Sequence, residues 1–137
     1  MTTRERKQNM FTIDNMSTIP VYEQIVRQVL GLVLSGQLKP GDPLPSVRGL
    51  ASDLGVNPNT IQKAYAELDH RGLTQSVPGR GSFLREDAME QLIAFLNENA
   101  LPEFKNMLRG MQVAGASNDD IVKFVRKILK ELDEENQ

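Results

Sequence analysis

In the stretch SVPGRGSF, residues 76–83, an arginine stands between two glycines and is flanked by residues that suit strands. Such a loop can do chemistry with phosphate in two ways. Its glycines can wrap the backbone around a small phosphate, as in a nucleotide-binding loop, or they can shape a hairpin whose tip carries Arg80 into a larger polyanion. A nucleotide loop needs a strand before it, a helix opening straight after it, and a lysine followed by Ser or Thr. No helix opens after this loop and no lysine precedes its serine, so the loop reads as a hairpin tip. A second set of candidates lies upstream in PNTIQKAYAELDH, where Asn59, Gln62 and Lys63 recur within one turn. Asn and Gln can pair bidentately with adenine, and Lys can reach guanine or phosphate.

The remaining inventory excludes more than it offers. The chain has no cysteine and a single histidine, His70, which removes disulfides, thiolate metal sites, cysteine nucleophiles and a histidine-rich metal site within one chain. No Ser/His/Asp or paired-carboxylate arrangement suggests catalysis, and no cofactor or metal is implied. His70 reads most simply as a solvent or phosphate contact. No apolar run approaches the roughly 20 residues that span a bilayer. The opening MTTRERKQNM lacks the apolar core of a signal peptide, so a cytoplasmic protein with no membrane partner is expected.

With 137 residues, 39% hydrophobic and 25% charged, the chain can bury one modest core, or a small domain plus a helical appendage. Its net charge of −2 hides an asymmetry, +3 over residues 1–85 and −5 over residues 86–137. A basic front and an acidic back suit a protein that turns one part toward a polyanion. Chance and solvated helix faces would give the same split.

Tyr22, Ile25, Val26, Val29, Leu32 and Val33 recur at three- and four-residue spacing, which predicts a helix ending near Ser35-Gly36. LKPGDPLPS then packs three prolines and a glycine into an extended connector. Ser46 caps a short helix over 47–54 with Val47, Leu50, Ala51 and Leu54 inward, and Gly55 fits the left-handed position that ends it. Asn57 and Pro58 open a second helix with Ile61, Ala64, Tyr65 and Leu68 on its buried stripe, running to about Arg71-Gly72. Two short helices around a glycine turn make a helix-turn-helix. On the second, Asn59, Gln62, Lys63 and Ala66 occupy the arc opposite the stripe. Ala66 allows close approach, and Thr60 on the flank can bind a phosphate. Leu73–Val77 and Ser82–Leu84 read as the strands of a hairpin turning at Pro78–Gly81, which aims Arg80 at a minor groove.

The run from Pro20 to Phe83 contains YEQI, LKPGDPLPSVRGLA, LGVNPNTIQKAYAELDHRGL and the glycine-arginine wing. Together these pieces resemble the winged helix-turn-helix domain of the GntR family of bacterial transcriptional regulators. The NPNT segment, the AY pair and the short tail resemble the YtrA subfamily in particular. The resemblance implies a mainly α fold with a small β-wing. It further implies that Arg48 contacts DNA, that Asn57, Asn59, Thr60, Gln62 and Lys63 read the major groove, and that Gly79 and Arg80 enter the minor groove. Some relatives carry arginine where this chain has Pro58 and Gln62, so their half-site sequence does not transfer.

Three further helices are expected in the tail. Met89, Leu92, Ile93, Phe95 and Leu96 mark the first, and Phe104, Met107, Leu108 and Met111 the second. The third opens with Ser117-Asn118-Asp119-Asp120, which resembles a capping box with Asp in place of Glu. There Ile121, Val125, Ile128 and Leu132 repeat at heptad-like spacing, with Val122, Phe124 and Leu129 widening the stripe. So wide a stripe exceeds what a short tail can bury alone. Phe104, Met107, Leu108, Ile121, Phe124, Val125, Ile128 and Leu132 are therefore the expected dimerisation residues, since a two-fold protein matches a palindromic operator. Packing back onto the helix of Tyr22–Val33 is the alternative, and both can hold.

The expected organisation is an N-terminal extension (1–19), a winged helix-turn-helix domain (20–85) and a helical dimerisation region (86–137). The extension before Phe11 is expected to be mobile, with Met10 as an alternative start. Any small-molecule effector would have to use a cleft between subunits, with Met89, Met107 and Met111 as candidate lining or plain core filling. The function expected is a homodimeric regulator, a repressor binding double-stranded DNA at an inverted repeat, with transporter operons suggested by the subfamily. A winged-helix module for protein–protein assembly is the alternative.

Overall fold

The computed structural model describes Arg4 and residues 10–137, and the expected mobile extension before Phe11 lies, Arg4 apart, outside the described residues. The chain divides into two compact units, one reaching Phe95 and one spanning Leu96–Gln137.

In the first unit, α1 (Val21–Leu34), α2 (Val47–Leu54) and α3 (Pro58–His70) precede an antiparallel hairpin of β1 (Thr74–Val77) and β2 (Gly81–Leu84). The apolar period of α1 buries Ile25, Val26, Val29, Leu32 and Val33. That face meets Ile61, Ala64, Tyr65 and Leu68 of α3, which also packs against Leu50 and Ala51 of α2. Leu44, Leu73 and Leu84 complete the core. The expected inner face of α2 is thus narrower than its period suggested, with Val47 and Leu54 only half-buried at its two ends.

Local chemistry sets the helix ends. The Ser46 hydroxyl accepts the Gly49 N–H at 3.0 Å, so α2 begins where its cap stands. It ends at Gly55, whose φ of +68° suits a residue without Cβ. Val56 N–H donates to the Ala51 carbonyl at 3.0 Å and Gly55 N–H to that of Ser52 at 3.3 Å, the paired bonds of a Schellman ending. Asn57 then caps α3 by accepting the Asn59 N–H at 2.8 Å, with Pro58 in the first turn.

β1 starts at Thr74 and β2 at Gly81, each one residue from the bounds expected, because Leu73 is held by Leu68 O at the end of α3 and Gly81 pairs with Val77. The connector joins the sheet by backbone: Leu44 N–H donates to Ser82 O at 2.9 Å, Gly41 N–H to Leu84 O at 2.8 Å, and Leu84 N–H to Asp42 O at 2.9 Å. β2 therefore runs between β1 and the proline-rich connector.

The segment before α1 belongs to the folded unit as well. Phe11 is buried, and Gln24 and Gln28, one turn apart on α1, hold the backbone behind it. Gln28 accepts Thr12 N–H at 2.9 Å and donates to Thr12 O at 2.6 Å, while Gln24 accepts Asp14 N–H at 2.9 Å and donates to Ile19 O at 2.9 Å. The two amides thus tie the backbone of Thr12, Asp14 and Ile19 to α1.

α4 (Ala88–Asn99) begins in the first unit, where Ala88 and Leu92 are buried. The second unit holds α5 (Leu101–Val113) packed against α6 (Asn118–Glu135). The expected capping box is present: Ser117 Oγ accepts Asp120 N–H at 3.1 Å, and the Asp120 carboxylate accepts Ser117 N–H at 3.2 Å.

Candidate nucleic-acid interface

On α3, burial and chemistry divide cleanly. Ile61, Ala64, Tyr65 and Leu68 are buried, whereas Asn59, Gln62, Lys63 and Ala66 are exposed and Thr60 is half-buried. The tyrosine fixes how this helix sits. Its hydroxyl donates to Pro45 O at 2.7 Å, one residue before the cap of α2, so a buried bond ties α3 to the connector that leads into α2. Burial holds the Tyr65 phenol far above its ordinary pKa, against a lowering by Arg4.

Two of the expected contacts have partners inside the protein. Asn57 uses its carbonyl oxygen as the cap of α3, leaving its amide hydrogens as the groups that can meet a phosphate. Lys63 Nζ lies 4.0 Å from the centre of the Tyr22 ring of α1, where its charge meets the ring's negative face. That contact orders a long side chain and orients its ammonium. Tyr22, read from the sequence only as part of the apolar stripe, is therefore a partner of a candidate DNA contact. No sequence spacing links residues 22 and 63, so nothing local could have found it.

The wing is built on a type II turn. Arg80 N–H donates to Val77 O at 2.9 Å, Pro78 occupies the first central position, and Gly79 takes φ +76° at the second, where a side chain would be strained. Arg80 is exposed at the tip. A hollow of about 280 Å³, lined by Ser46, Val47, Tyr65, Gly79 and Arg80, lies between the wing tip and the start of α2. Arg48, exposed in the first turn of α2, stands two residues past the Ser46 cap. Arg4 reaches the same place. The Arg4 guanidinium donates to Arg80 O and lies 5.3 Å from the centre of the Phe83 ring. Nothing in the sequence around Arg4 signalled that contact.

In the second unit, the residues expected to mediate dimerisation remain largely uncovered. Phe104, Met107, Phe124, Ile128 and Leu132 are exposed, Leu108 and Val125 are half-buried, and Ile121 alone of the eight is buried. Two shallow depressions also occur there. One of about 330 Å³ is lined by Asn97, Leu101, Pro102, Lys105, Asn106 and Arg109, and one of about 240 Å³ by Leu96, Asn97, Ala100, Leu101 and Phe104. Among the described residues no group of three or more His, Cys, Asp or Glu side chains is placed to hold a metal, and no helix is long and apolar enough to cross a membrane.

The geometry is that of a winged helix-turn-helix, and its relatives agree. Residues 21–84 match the family model described as bacterial regulatory proteins, gntR family. The chain is 37% identical over 119 residues to the HTH-type transcriptional repressor YtrA of Bacillus subtilis (strain 168), covering 87% of this chain and 92% of that protein. The chain belongs to the GntR family. Among solved structures it resembles a GntR family transcriptional regulator from Listeria monocytogenes, with TM-score 0.65, 36% identity, and coverage of 84% of this chain and 98% of that one. It also resembles YtrA from Sulfolobus acidocaldarius, a GntR-family transcription factor, with TM-score 0.54, 39% identity, and coverage of 68% and 98%. As a GntR protein the chain is a DNA-binding transcriptional regulator and not an enzyme. The Bacillus subtilis YtrA repressor and the Listeria monocytogenes regulator are each matched over nearly their full length, so those two resemblances include the tail as well as the wing.

Proposed function

We propose that this GntR protein is a cytoplasmic homodimeric repressor that binds an inverted-repeat operator. Residues 20–85 form the DNA-binding domain and residues 86–137 the dimerisation region. In each protomer α3 enters the major groove with Asn59 and Gln62 at base edges and Thr60 and Lys63 at its border. Arg48 and the amide of Asn57 meet phosphates, and Gly79 and Arg80 enter the adjacent minor groove, where the potential is most negative. The observation that carries this reading is the division of α3, with apolar residues buried on one arc and short or hydrogen-bonding ones exposed on the other.

Two-fold assembly is supported by α6. Val122, Phe124, Ile128, Leu129 and Leu132 are each more than a third exposed on one helix, more apolar surface than a solvated helix carries without a partner. A second copy of the chain supplies that partner and brings two wings to two half-sites. Transporter genes are the targets to which the YtrA resemblance points.

Anisotropy of a labelled duplex selected by the protein from a random pool, measured against salt, tests the reading. A dimer making several phosphate contacts loses roughly 10³-fold or more in affinity between 50 and 200 mM salt. The selected sequence should be palindromic, and sedimentation should give twice the chain mass. Failure to select any sequence, or a monomer bound to an asymmetric site, would overturn it.

A further inference from the structure

One carboxylate joins the two DNA-facing elements. Asp69 is the next-to-last residue of α3, and its two oxygens serve β1: one accepts the Thr74 hydroxyl and the other accepts the Ser76 hydroxyl at 2.6 Å. Thr74 and Ser76 are two residues apart, so both project from the same face of the hairpin. On that face Ser76 pairs in register with Ser82 of β2, their hydroxyl oxygens 3.3 Å apart. An ionised carboxylate only accepts, so Ser76 gives it its single proton and must itself accept the proton of Ser82. The result is a directed chain, Ser82 to Ser76 to Asp69, running from the inner strand of the wing to the end of the recognition helix. Thr74 and Ser82, at the two ends of the hydroxyl set, are buried, and Ser76 between them lies at the surface.

Asp69 stands where electrostatics disfavours it. An acid in the last turn of a helix faces the negative end of the macrodipole, and an acid on a DNA-binding unit opposes phosphate. Both effects work against a carboxylate here, whereas two hydroxyl donors hold it. The connector fixes β2 through backbone bonds at residues 41–44, and Asp69 adds a side-chain tie between α3 and β1 beside the Leu73 N–H to Leu68 O bond. We propose that Asp69 is a positioning residue for DNA recognition, locking the wing to α3 so that the major-groove helix and Arg80 engage one DNA segment together. The proposal rests on the DNA-binding reading of the winged unit.

The sign of the effect is diagnostic. If Asp69 were only a nearby negative charge, removing it would tighten binding to every DNA. Under the proposal Asp69→Ala weakens binding to the selected duplex and leaves unrelated duplex bound as well as before or better. A double-mutant cycle then isolates the route. Arg80→Ala should cost roughly tenfold in the parent but less than about twofold in Asp69→Ala, because an unlocked wing no longer delivers the arginine. Ser76→Ala, which cuts the chain from the wing side and leaves α3 intact, should reproduce the loss of coupling. Asp69→Asn, which keeps one accepting oxygen, should fall between parent and Asp69→Ala. Thermal unfolding of each variant confirms that it is folded at the assay temperature, and should Asp69→Ala be unfolded there, the Ser76→Ala cycle decides. Additive effects of Arg80→Ala with Ser76→Ala or Asp69→Ala, or tighter binding to the selected duplex, would overturn the proposal alone. A parent protein that binds no duplex would overturn the DNA-binding reading and the proposal with it.

Discussion

Replacing Asn57 by aspartate separates two jobs that the wild-type side chain combines. Asn57 caps α3 by accepting the Asn59 N–H at 2.8 Å, and it is exposed at the end of the helix proposed to enter the groove. Aspartate keeps the accepting oxygen and adds a negative charge at the positive end of the helix macrodipole. The fold should therefore hold its stability to within about 0.5 kcal/mol, or gain up to about 1 kcal/mol. Asn57→Ala removes the cap and costs about 1 kcal/mol, which lowers the Tm of a unit of this size by roughly 4–8 °C. On DNA the order reverses. A carboxylate about 5 Å from a phosphate, at an effective dielectric of about 40, is repelled by about 1.7 kcal/mol, a loss of roughly 20-fold in affinity. Asn57→Ala loses a neutral donor without adding charge, so its binding falls only about fivefold. Calorimetric unfolding and anisotropy on the selected duplex at fixed salt measure the two orders. Asn57→Asp binding as tightly as the parent would show that residue 57 meets no phosphate. Asn57→Ala unfolding at the parental Tm would show that the cap carries no weight.

Three further outcomes follow from the same geometry. Tyr65→Phe strands the buried Pro45 carbonyl that its hydroxyl now satisfies at 2.7 Å; it should cost about 1–3 kcal/mol, read as a lower midpoint in urea at unchanged slope. Gln62→Ala should change base preference in a selection experiment more than it changes affinity for unrelated DNA, and equal loss on all sequences would make Gln62 a phosphate contact. Leu132→Asp, on the uncovered face of α6, should shift sedimentation toward monomer at micromolar concentration, and a fully dimeric variant would move the dimer seam elsewhere.

The signals that were legible in the sequence are those confined to a few neighbouring residues. Ser46, Gly55, Asn57-Pro58 and Ser117 with Asp120 each do their work through backbone groups at most four residues away, and the structure places each in the expected cap or turn. The apolar period of α1 and α3 was equally plain, because one face of each helix meets one core. Bonds between distant residues were not legible. The Gln24 and Gln28 amides hold residues 12–19, turning a stretch read as extension into part of the fold. Glutamines on a helix face usually point to solvent, and the segment arriving before α1 gives these two most of their partners.

The same distinction governs the interface. Residue types on α3 reveal what can touch a base, since exposure follows from helical period. They do not reveal which of those side chains is already held. Lys63 is stacked on Tyr22 and Asn57 is engaged as a cap, whereas Asn59 and Gln62 are exposed with no such tie in the described contacts. A side chain ordered before binding loses less entropy when DNA arrives, which suits a contact to the invariant phosphate backbone. One left free can choose among base edges, at the cost of being ordered on arrival. Discrimination between operators should therefore concentrate in Asn59 and Gln62, with Lys63 and Asn57 contributing to affinity on any sequence.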